Sequence, residues 1–496
     1  MDFKLEANMD KNIYKGNRKV LSFTTLAFFI TFVVWFNMAP FISTLKETFN
    51  LTNDQVAILG IANLALTIPA RVLIGMLVDK FGPKKVFSNL LMILSIPCFA
   101  FALSDSFIQL MISRMFLAII GAGFVVGIRL VSEWFPSKQV GLAEGIYGGW
   151  GNFGSAAAAI ILPTLAVIFG GDNGWRIAIA LTGLIALGYG FIFKRIVSDT
   201  PEGIEYKRPK KSGALEITSH KDMVGLIIMT IPVYGILGFL TYRLGWQLNF
   251  ISDGIAFTVL GVLLFFLLLN VYKIWDVNKE TLKNGVPEKE KYAFKQVAIL
   301  DFSYFCTFGS ELAVVSMLPF FFEQTFTLSI AQAGLIASSF AFMNLMSRPG
   351  GGWLSDKFGR KKTLNILMLG LALGYIGMSQ IESGWPIGLA IAITMCCSFF
   401  VQAGEGAVYA MVPLVKKRVT GQVSGMVGAY GNIGGTVFLT IFSFVSPRFF
   451  FVTIACAAVI CFFCTLFLKE PDMEAIQEQT FEKDKKSNAK VSTNII

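Results

Sequence analysis

Two arginines, Arg71 and Arg348, lie inside apolar segments, where a charged side chain needs water or a partner of opposite charge. They lie 277 residues apart, and each precedes by four residues the first glycine of the same repeated motif. An arginine deep in an apolar span costs about 3 kcal/mol or more unless it faces water or a partner. A guanidinium is planar, permanently charged and a two-pronged donor, so it suits a trigonal oxyanion better than lysine does. The pair therefore predicts a central anion site; the alternative is that each arginine pairs with a buried carboxylate.

The motif behind each arginine belongs to an internal repeat. GMLVDKFGPKK at 75–85 recurs as GWLSDKFGRKK at 352–362, again at a separation of 277. A second block, GLAEGIYGGWGNFG at 141–154, recurs as GQVSGMVGAYGNIG at 421–434, at a separation of 280. Two unrelated motifs that repeat at nearly one distance indicate two duplicated halves arranged around a central path.

Each copy of the first motif contains one aspartate, Asp79 or Asp356. Such a carboxylate can cap the start of a helix or pair with a basic residue across the bundle, and the neighbouring glycines permit a tight turn. The alternative is that the loop only fixes topology through its lysines.

The second block places Asn152 after Gly151 and Asn432 after Gly431. Glycines every three or four residues let membrane helices approach closely, and packing alone explains them. Packing explains the asparagines poorly, because their amides can donate hydrogen bonds to an anion or to a neighbouring helix. We therefore take all four residues as candidate binding residues.

The elements that must hold these residues are membrane helices. Of the 496 residues, 54% are hydrophobic and 15% are charged, and the mean hydropathy is +0.64. Apolar runs of about 20 residues recur throughout, which is the length of a helix that crosses a bilayer; barrel strands have about 10 residues of alternating polarity. We predict an all-α polytopic membrane protein with fourteen spans, at 21–45, 54–78, 84–104, 107–133, 138–168, 174–195, 223–243, 250–272, 294–322, 330–354, 360–381, 384–413, 418–446 and 448–468.

Basic residues cluster in alternate gaps between the spans. Because cytoplasmic loops are enriched in lysine and arginine, both termini are expected in the cytoplasm, and the net charge of +10 reflects topology, not nucleic-acid binding. The predicted domains are a cytoplasmic N-terminal segment 1–20, a six-helix half 21–195, a central insertion 196–293 with two extra helices, a second six-helix half 294–468 and a cytoplasmic tail 469–496.

Enzymatic chemistry finds no support in the sequence. The single histidine, His220, lies in a polar loop, and the seven cysteines all lie in apolar runs without metal-ligand spacing. No Walker-type phosphate-binding loop is present. We therefore predict no enzyme activity, no metal and no cofactor.

Together, Arg71, Arg348 and the two G-x-G-N-x-G blocks resemble the nitrate/nitrite porter family of the major facilitator superfamily. The resemblance covers about residues 20–195 and 294–468. It implies a monomeric multi-pass transporter of the cytoplasmic (inner) membrane, whose two six-helix halves expose a nitrate or nitrite site to each side in turn. It also implies that the paired arginines bind the anion and that the loops with Asp79 and Asp356 act as a conformational latch.

The same resemblance implies that aromatic rings enclose the plane of the anion. YFCTFGSE at 304–311 resembles the Y-x-x-x-F-G-S segment of the family, which gives Tyr304 and Phe308 as pocket residues. Phe124, twelve residues before Pro136, is a third. The alternative is core or lipid contact, because the chain contains 48 phenylalanines.

Glu311 ends that segment within an apolar stretch. A buried carboxylate can bind and carry a proton, and proton-symport members of the family have an acid in a similar segment. We therefore favour nitrate/proton symport over nitrate/nitrite exchange; a structural salt bridge is the alternative for Glu311. Glu144 and Glu405 also lie within spans without an assigned role, and Arg129 with Glu133 forms an i,i+4 pair that can neutralise itself.

Two other functions fit parts of the pattern. A fourteen-span drug/proton antiporter also has two extra central helices. Its fifth span typically has a proline in the glycine motif, however, and a pocket for cationic drugs disfavours two arginines. A membrane sensor that binds the anion without moving it is expected to carry a signalling domain, and the sequence shows none.

Overall fold

The computed structural model describes residues 2–171, 173–209, 211, 213–286 and 291–471, and every regular element in these ranges is helical. The first half contains α1 (Asp2–Phe36), α2 (Ile42–Thr48), α3 (Asn53–Ala65), α4 (Thr67–Phe81), α5 (Pro83–Ala102), α6 (Phe107–Leu117), α7 (Gly123–Trp134), α8 (Val140–Asn152), α9 (Gly154–Phe169) and α10 (Gly174–Ile196).

Two helices follow, α11 (His220–Tyr242) and α12 (Asp253–Asn284). The second half contains α13 (Phe294–Cys306), α14 (Phe308–Phe326), α15 (Ile330–Phe342), α16 (Asn344–Phe358), α17 (Arg360–Met378), α18 (Ile387–Val415), α19 (Thr420–Phe442) and α20 (Pro447–Thr465). Short 3-10 turns lie at Ala39–Phe41, Ala118–Ala122 and Lys417–Val419, and a π-helical turn lies at Arg243–Gln247.

All fourteen predicted spans coincide with one helix or with consecutive helices. In the described part of the chain, twelve such segments are long and apolar enough to cross a membrane. The other two predicted spans are 330–354, where α15 and α16 meet at Met343, and 360–381, where α17 begins with three basic residues. In the internal repeat these two spans are equivalent to α3–α4 and to α5. Both of those segments are long and apolar enough to cross a membrane.

The structure describes only part of what was predicted for the terminal segments 1–20 and 469–496. Much of the segment 1–20 forms the start of α1, and the candidate span itself begins at Asn17. Of the tail 469–496, residues from 472 onward lie outside the described residues. The domain limits at both ends therefore stay predictions.

Several spans are broken near their middle, where one helix ends and the next begins. These breaks lie at Leu66, at the turn Ala118–Ala122, and at Phe153, Thr307 and Met343. Broken helices are tolerated at membrane depth where protein surrounds the backbone. Each break lies within five residues of a candidate site residue, so the breaks gather around the predicted site.

The two halves meet through crossed helix pairs: α8 of the first half packs against α16, and α19 of the second half packs against α4. Glycines make this contact close. A Cβ atom at Gly145 would lie 2.6 Å from the backbone oxygen of Arg348, and one at Gly425 would lie 2.4 Å from that of Arg71. Each glycine-rich helix therefore rests directly on the arginine-bearing helix of the opposite half.

The two helices that lie between the halves in the sequence, α11 and α12, pack away from Arg71 and Arg348. α11 packs against α13 and α19, whereas α12 packs chiefly on α11 and leaves most of its surface exposed. The linker before α11 crosses the end of the bundle that carries the motif loops. There the Tyr206 hydroxyl donates a 2.7 Å hydrogen bond to the backbone oxygen of Val78, and Glu216 pairs with Arg418 at 2.5 Å, so the linker touches both halves.

Candidate functional site

Arg71 extends from α4 into the interface between the halves and is 1% exposed. Its Nη1 atom donates a 2.7 Å hydrogen bond to the backbone oxygen of Gly428 in α19. Its guanidinium lies over the rings of Phe308, Phe124 and Trp35, at 5.2, 5.7 and 6.0 Å from the ring centroids. Its Nε has no hydrogen-bond partner, and no carboxylate among the described residues pairs with it. Arg71 therefore brings a largely uncompensated positive charge to the interface.

Arg348, from α16, is equally buried but has partners. Its Nη1 atom forms an ion pair with Glu405 of α18, and its Nη2 atom donates a 2.9 Å hydrogen bond to the hydroxyl of Tyr304 in α13. Its guanidinium lies 5.2 Å from the ring centroid of Phe124. Pairing with a buried carboxylate, the alternative raised for both arginines, is thus the arrangement at Arg348 and not at Arg71.

Phe124 brings the two arginines together, since both guanidinium groups lie over its ring. Its ring is within 4° of parallel to Tyr304 with the centroids 6.3 Å apart, and Tyr304 is within 7° of parallel to Phe308 at 5.1 Å. A flat anion between two ring faces needs about 7 Å, twice an ordinary van der Waals contact. The centroid distance of 6.3 Å between Phe124 and Tyr304 is an upper limit on the gap between their faces, so these rings must separate to admit an anion.

Gly151 and Gly431 lie behind aromatic rings. A Cβ atom at Gly431 would lie 2.6 Å from Cδ1 of Tyr304 and 2.8 Å from Cδ1 of Phe308, and one at Gly151 would lie 1.9 Å from Cδ1 of Phe28. The bare backbone at both positions lets a ring lie flat against the helix. Their contribution to the site is therefore room for the rings.

The two asparagines are both buried, Asn152 at the end of α8 and Asn432 within α19. Both polar side-chain atoms of Asn432, Oδ1 and Nδ2, are buried without a hydrogen-bond partner among the described residues. A buried amide left unpaired costs about 1–3 kcal/mol. A ligand that accepts from Nδ2 removes part of that cost, so Asn432 fits a binding role better than a role in helix packing.

Glu311 lies in the first turn of α14. Its Oε1 atom accepts hydrogen bonds from Nδ2 of Asn344 and, at 3.4 Å, from Nε2 of Gln402. Its Oε2 atom has no donor, and Glu311 makes no ion pair within the described part of the chain. The salt bridge considered as its structural role is therefore not among the described contacts.

Comparisons with known proteins place these residues in a family. The family model described as Major Facilitator Superfamily matches this chain at residues 24–234, 223–439 and 300–492. The chain is 50% identical over 467 residues to the nitrate/nitrite transporter NrtP of Nostoc punctiforme, covering 92% of this chain and 93% of that protein. The chain belongs to the nitrate/nitrite porter family of the major facilitator superfamily. A second relative, the nitrate/nitrite transporter NrtP of a Picosynechococcus species, is 46% identical over 504 residues, covering 92% of this chain and 94% of that protein.

Among solved structures, the porter resembles the proton:xylose symporter XylE, with a TM-score of 0.60 and 14% identity over 93% of this chain and 99% of that one. At this identity the likeness shows the fold alone, which is that of a major facilitator transporter. The predicted family and the all-α fold are therefore confirmed. As a member of this family the chain is a transporter and not an enzyme.

In this porter the two motif aspartates cap the starts of the glycine-rich helices. Asp79 accepts hydrogen bonds from the backbone nitrogens of Gly421 and Gln422, at 2.9 and 2.8 Å, at the start of α19. Asp356 accepts from the backbone nitrogens of Gly141 and the residue after it, at 3.1 and 2.8 Å, at the start of α8. Each aspartate thus satisfies N–H groups of a helix in the opposite half.

Basic side chains complete both caps. Arg129 lies 3.2 Å from Asp79 and 2.6 Å from Glu133, which confirms the predicted i,i+4 pair. Arg360 lies 2.8 Å from Asp356. These contacts join the two halves at the motif end of the bundle, so the structure is closed at that end.

Sequence reasoning did not assign Glu405, Tyr147 or Tyr409 to the site. Glu405 pairs with Arg348, Tyr147 stacks on Phe124 with centroids 5.9 Å apart, and Tyr409 packs edge-on against Phe124 at 4.6 Å. An acid within an apolar span was the signal for Glu405, but it did not reveal the partner. Tyr147 lies in the repeated block 141–154, but its counterpart there is Val427, and Tyr409 lies in neither block, so the repeat marked neither tyrosine as a site residue.

Proposed function

We propose that this porter transports nitrate and/or nitrite across the cytoplasmic membrane by alternating access, as a nitrate/proton symporter. The relatives at 50% and 46% identity are named nitrate/nitrite transporters. The observation that carries the proposal is the convergence of Arg71 and Arg348, one from each half, on the ring of Phe124. A nitrate/nitrite antiporter would use the same site and is the alternative. A pocket for cationic drugs is disfavoured by the uncompensated charge of Arg71.

Anion recognition uses donors from both halves and the faces of the rings. Arg71 offers Nε, which has no partner, and Asn432 offers an unpaired amide. Arg348 offers its guanidinium, which also lies over the ring of Phe124. Nitrate and nitrite are flat, and their oxygens lie in one plane, so in-plane guanidinium and amide donors suit them while the rings exclude water above and below.

Binding of an anion couples the two halves. Arg71 is held against α19 through Gly428, and a Cβ atom at Gly148 of α8 would lie 2.5 Å from Nε of Arg348. Two like charges at a buried interface repel each other, and an anion between them attracts both. Anion binding therefore draws the two halves together around the site, which is one way in which a ligand can favour the occluded state.

The caps made by Asp79 and Asp356 serve as the conformational latch in this proposal. Each cap joins a glycine-rich helix to the opposite half, so both must break when the motif end opens. A helix cap contributes about 1 kcal/mol, which is small enough to break and re-form in every cycle. With the termini in the cytoplasm, as the distribution of basic residues predicts, the latch closes the cytoplasmic side.

Glu311 is the proposed proton carrier. It is buried, lies in the turn that follows Phe308, and has one carboxylate oxygen without a donor among the described residues. A buried carboxylate of this kind can load a proton from water on one side and release it on the other. We propose a monomer as the working unit, because the anion site lies between the two halves of one chain.

The function is tested by nitrate uptake into proteoliposomes that contain the purified porter. The two variables are an inward proton gradient and internal nitrite, and protein-free liposomes are the control. We expect uptake that the proton gradient stimulates and that needs no internal nitrite. Uptake only against internal nitrite would make the porter an antiporter. No uptake of either anion by folded protein would overturn the proposed substrate.

A further inference from the structure

Glu405 lies near a cation and a second acidic side chain. It forms the ion pair with Arg348, and Glu311 accepts a 3.4 Å hydrogen bond from Gln402, which lies one helical turn before Glu405 in α18. One oxygen on each, Oε1 of Glu405 and Oε2 of Glu311, has no donor among the described residues. Two carboxylates near each other in a low-dielectric site repel each other, so the ion pair with Arg348 is what keeps Glu405 in its charged form.

The side chains around this carboxyl pair come from three other helices. Arg348 faces it from α16, Tyr304 from α13 and Tyr375 from α17. Arginine stays charged and tyrosine stays neutral near neutral pH. Among these described groups, the carboxyl groups are therefore the ones that can take up and release a proton.

The site has four occupancy states: empty, with an anion, with a proton, and with both. Its charges balance in only two of these states. The described residues bring Arg71, Arg348, Glu311 and Glu405 to the site, two cations and two anions. The empty site is therefore neutral, and so is the site with one anion and one proton. The site with an anion alone carries one negative charge, and the site with a proton alone carries one positive charge. A charged site costs more to occlude in the membrane, so the two neutral states cross most easily.

We propose that Glu405 is the residue that couples the anion to the proton. An anion that binds Arg348 displaces Glu405, and the displaced carboxylate, together with Glu311, takes up one proton from water on the open side. When the anion leaves on the other side, Glu405 rejoins Arg348 and the proton returns to water. This inference rests on the proposed function and assigns its coupling to a pair of residues instead of Glu311 alone.

The direct test is proton uptake on anion binding. Nitrate is added to the purified full-length porter in weakly buffered detergent solution near neutral pH, and a pH indicator reports protons. The wild-type porter should take up about one proton for each anion bound, by linkage between the two ligands. Glu405→Gln and Glu311→Gln should bind nitrate with no proton uptake. Anion binding to the wild-type porter without proton uptake would overturn the proposal. This part of the test uses only the wild-type protein, so it does not depend on whether a variant folds.

Transport by the variants supplies the second arm, with Glu323→Gln on α14 as the matched control, because Glu323 lies outside the pair. In proteoliposomes, Glu405→Gln should lose accumulation driven by the proton gradient to a much larger extent than nitrate/nitrate exchange, so the ratio of the two rates should fall well below that of the wild type. With one carboxylate fewer, its anion-loaded site is neutral without a proton. Uptake by this variant should therefore respond to membrane potential instead of the proton gradient.

The outcomes separate this inference from the proposed function. If proton gradients do not stimulate the wild-type porter, symport itself fails. If they do, and Glu311→Gln loses the stimulation while Glu405→Gln keeps it in full, only the role of Glu405 fails. Loss of exchange as well as gradient-driven uptake in folded Glu405→Gln would mean that Glu405 supports the anion site and would also overturn the coupling role.

Discussion

The two arginines occupy equivalent positions in the repeat but differ in their electrostatic surroundings. Arg71 has one hydrogen bond to a backbone oxygen, whereas Arg348 has an ion pair with Glu405 and a hydrogen bond to Tyr304. Duplication has therefore preserved where the charges lie but not how they are neutralised. We infer that the first half supplies a cation that is free for the anion, and that the second half supplies one whose counter-ion must be displaced.

The cause of this difference can be read in the repeat. Glu405 lies between the two repeated motifs, and the separations of 277 and 280 equate it with Ile128 or Val125 in α7. Both residues are buried and apolar, so neither can compensate Arg71. One substitution between the halves thus turns a symmetric pair of arginines into an asymmetric one.

The largest expected difference between the halves is in stability. Arg348→Gln leaves Glu405 buried without its cation, and removing one partner of a buried ion pair costs about 3–5 kcal/mol. Arg71→Gln leaves no carboxylate without a partner among the described residues. Thermal unfolding in detergent should therefore show a much lower midpoint for Arg348→Gln than for Arg71→Gln. The double variant Arg348→Gln/Glu405→Gln should regain most of the loss, and equal midpoints for the two single variants would show that the asymmetry is unimportant.

A smaller difference is expected at the glycines that touch the arginines. A Cβ atom at Gly148 would lie 2.5 Å from Nε of Arg348, which Glu405 and Tyr304 hold in place. At Gly428 it would lie 3.1 Å from Cδ of Arg71, a side chain with fewer partners and more freedom to shift.

Overpacking costs about 1–3 kcal/mol, which corresponds to a factor of roughly 5 to 150 in an equilibrium constant. Initial rates of nitrate uptake should thus fall at least about fivefold in Gly148→Ala and clearly less in Gly428→Ala. Gly188→Ala on α10 is the control, because nothing lies within 4 Å of its added methyl group. The reverse order of the two site variants would show that Arg71 is the more rigid arginine.

The smallest expected effect is that of the Tyr304 hydroxyl. Tyr304→Phe keeps the ring that stacks between Phe124 and Phe308 but removes the acceptor for Nη2 of Arg348. A hydrogen bond to a charged group contributes about 1.5–3 kcal/mol, and Arg348 keeps its ion pair with Glu405. The Kd for nitrate should weaken by about tenfold or slightly more, measured by calorimetry. No change would mean that this hydroxyl does not position Arg348.

Part of the site was predictable because it depends on local sequence. The arginines, the two aspartates and Tyr304 with Phe308 lie in repeated or recognisable segments, so their positions follow from the motifs. Whether they meet depends on how helices far apart in the sequence pack. Glu405 lies 57 residues after Arg348, and no periodicity links the two.

Some backbone details were also out of reach of the sequence. The break at Leu66 comes three residues before Pro69, which cannot donate a hydrogen bond to the oxygen of Ala65, so that break had a signal. The break at Met343 had none, because no glycine or proline lies within five residues of it. The capping of α19 by Asp79 joins residues more than 340 positions apart, so only the three-dimensional arrangement reveals it.

The central claim is that one anion binds between arginines from opposite halves, and nitrate binding to purified lysine variants tests it most directly. Isothermal titration calorimetry on Arg71→Lys and Arg348→Lys should give a Kd at least about 100-fold weaker than the wild type, because each change removes a two-pronged charged donor contributing about 3 kcal/mol. Glu323→Gln should bind as the wild type does. Near-normal binding by either folded lysine variant would contradict a site shared between the two halves.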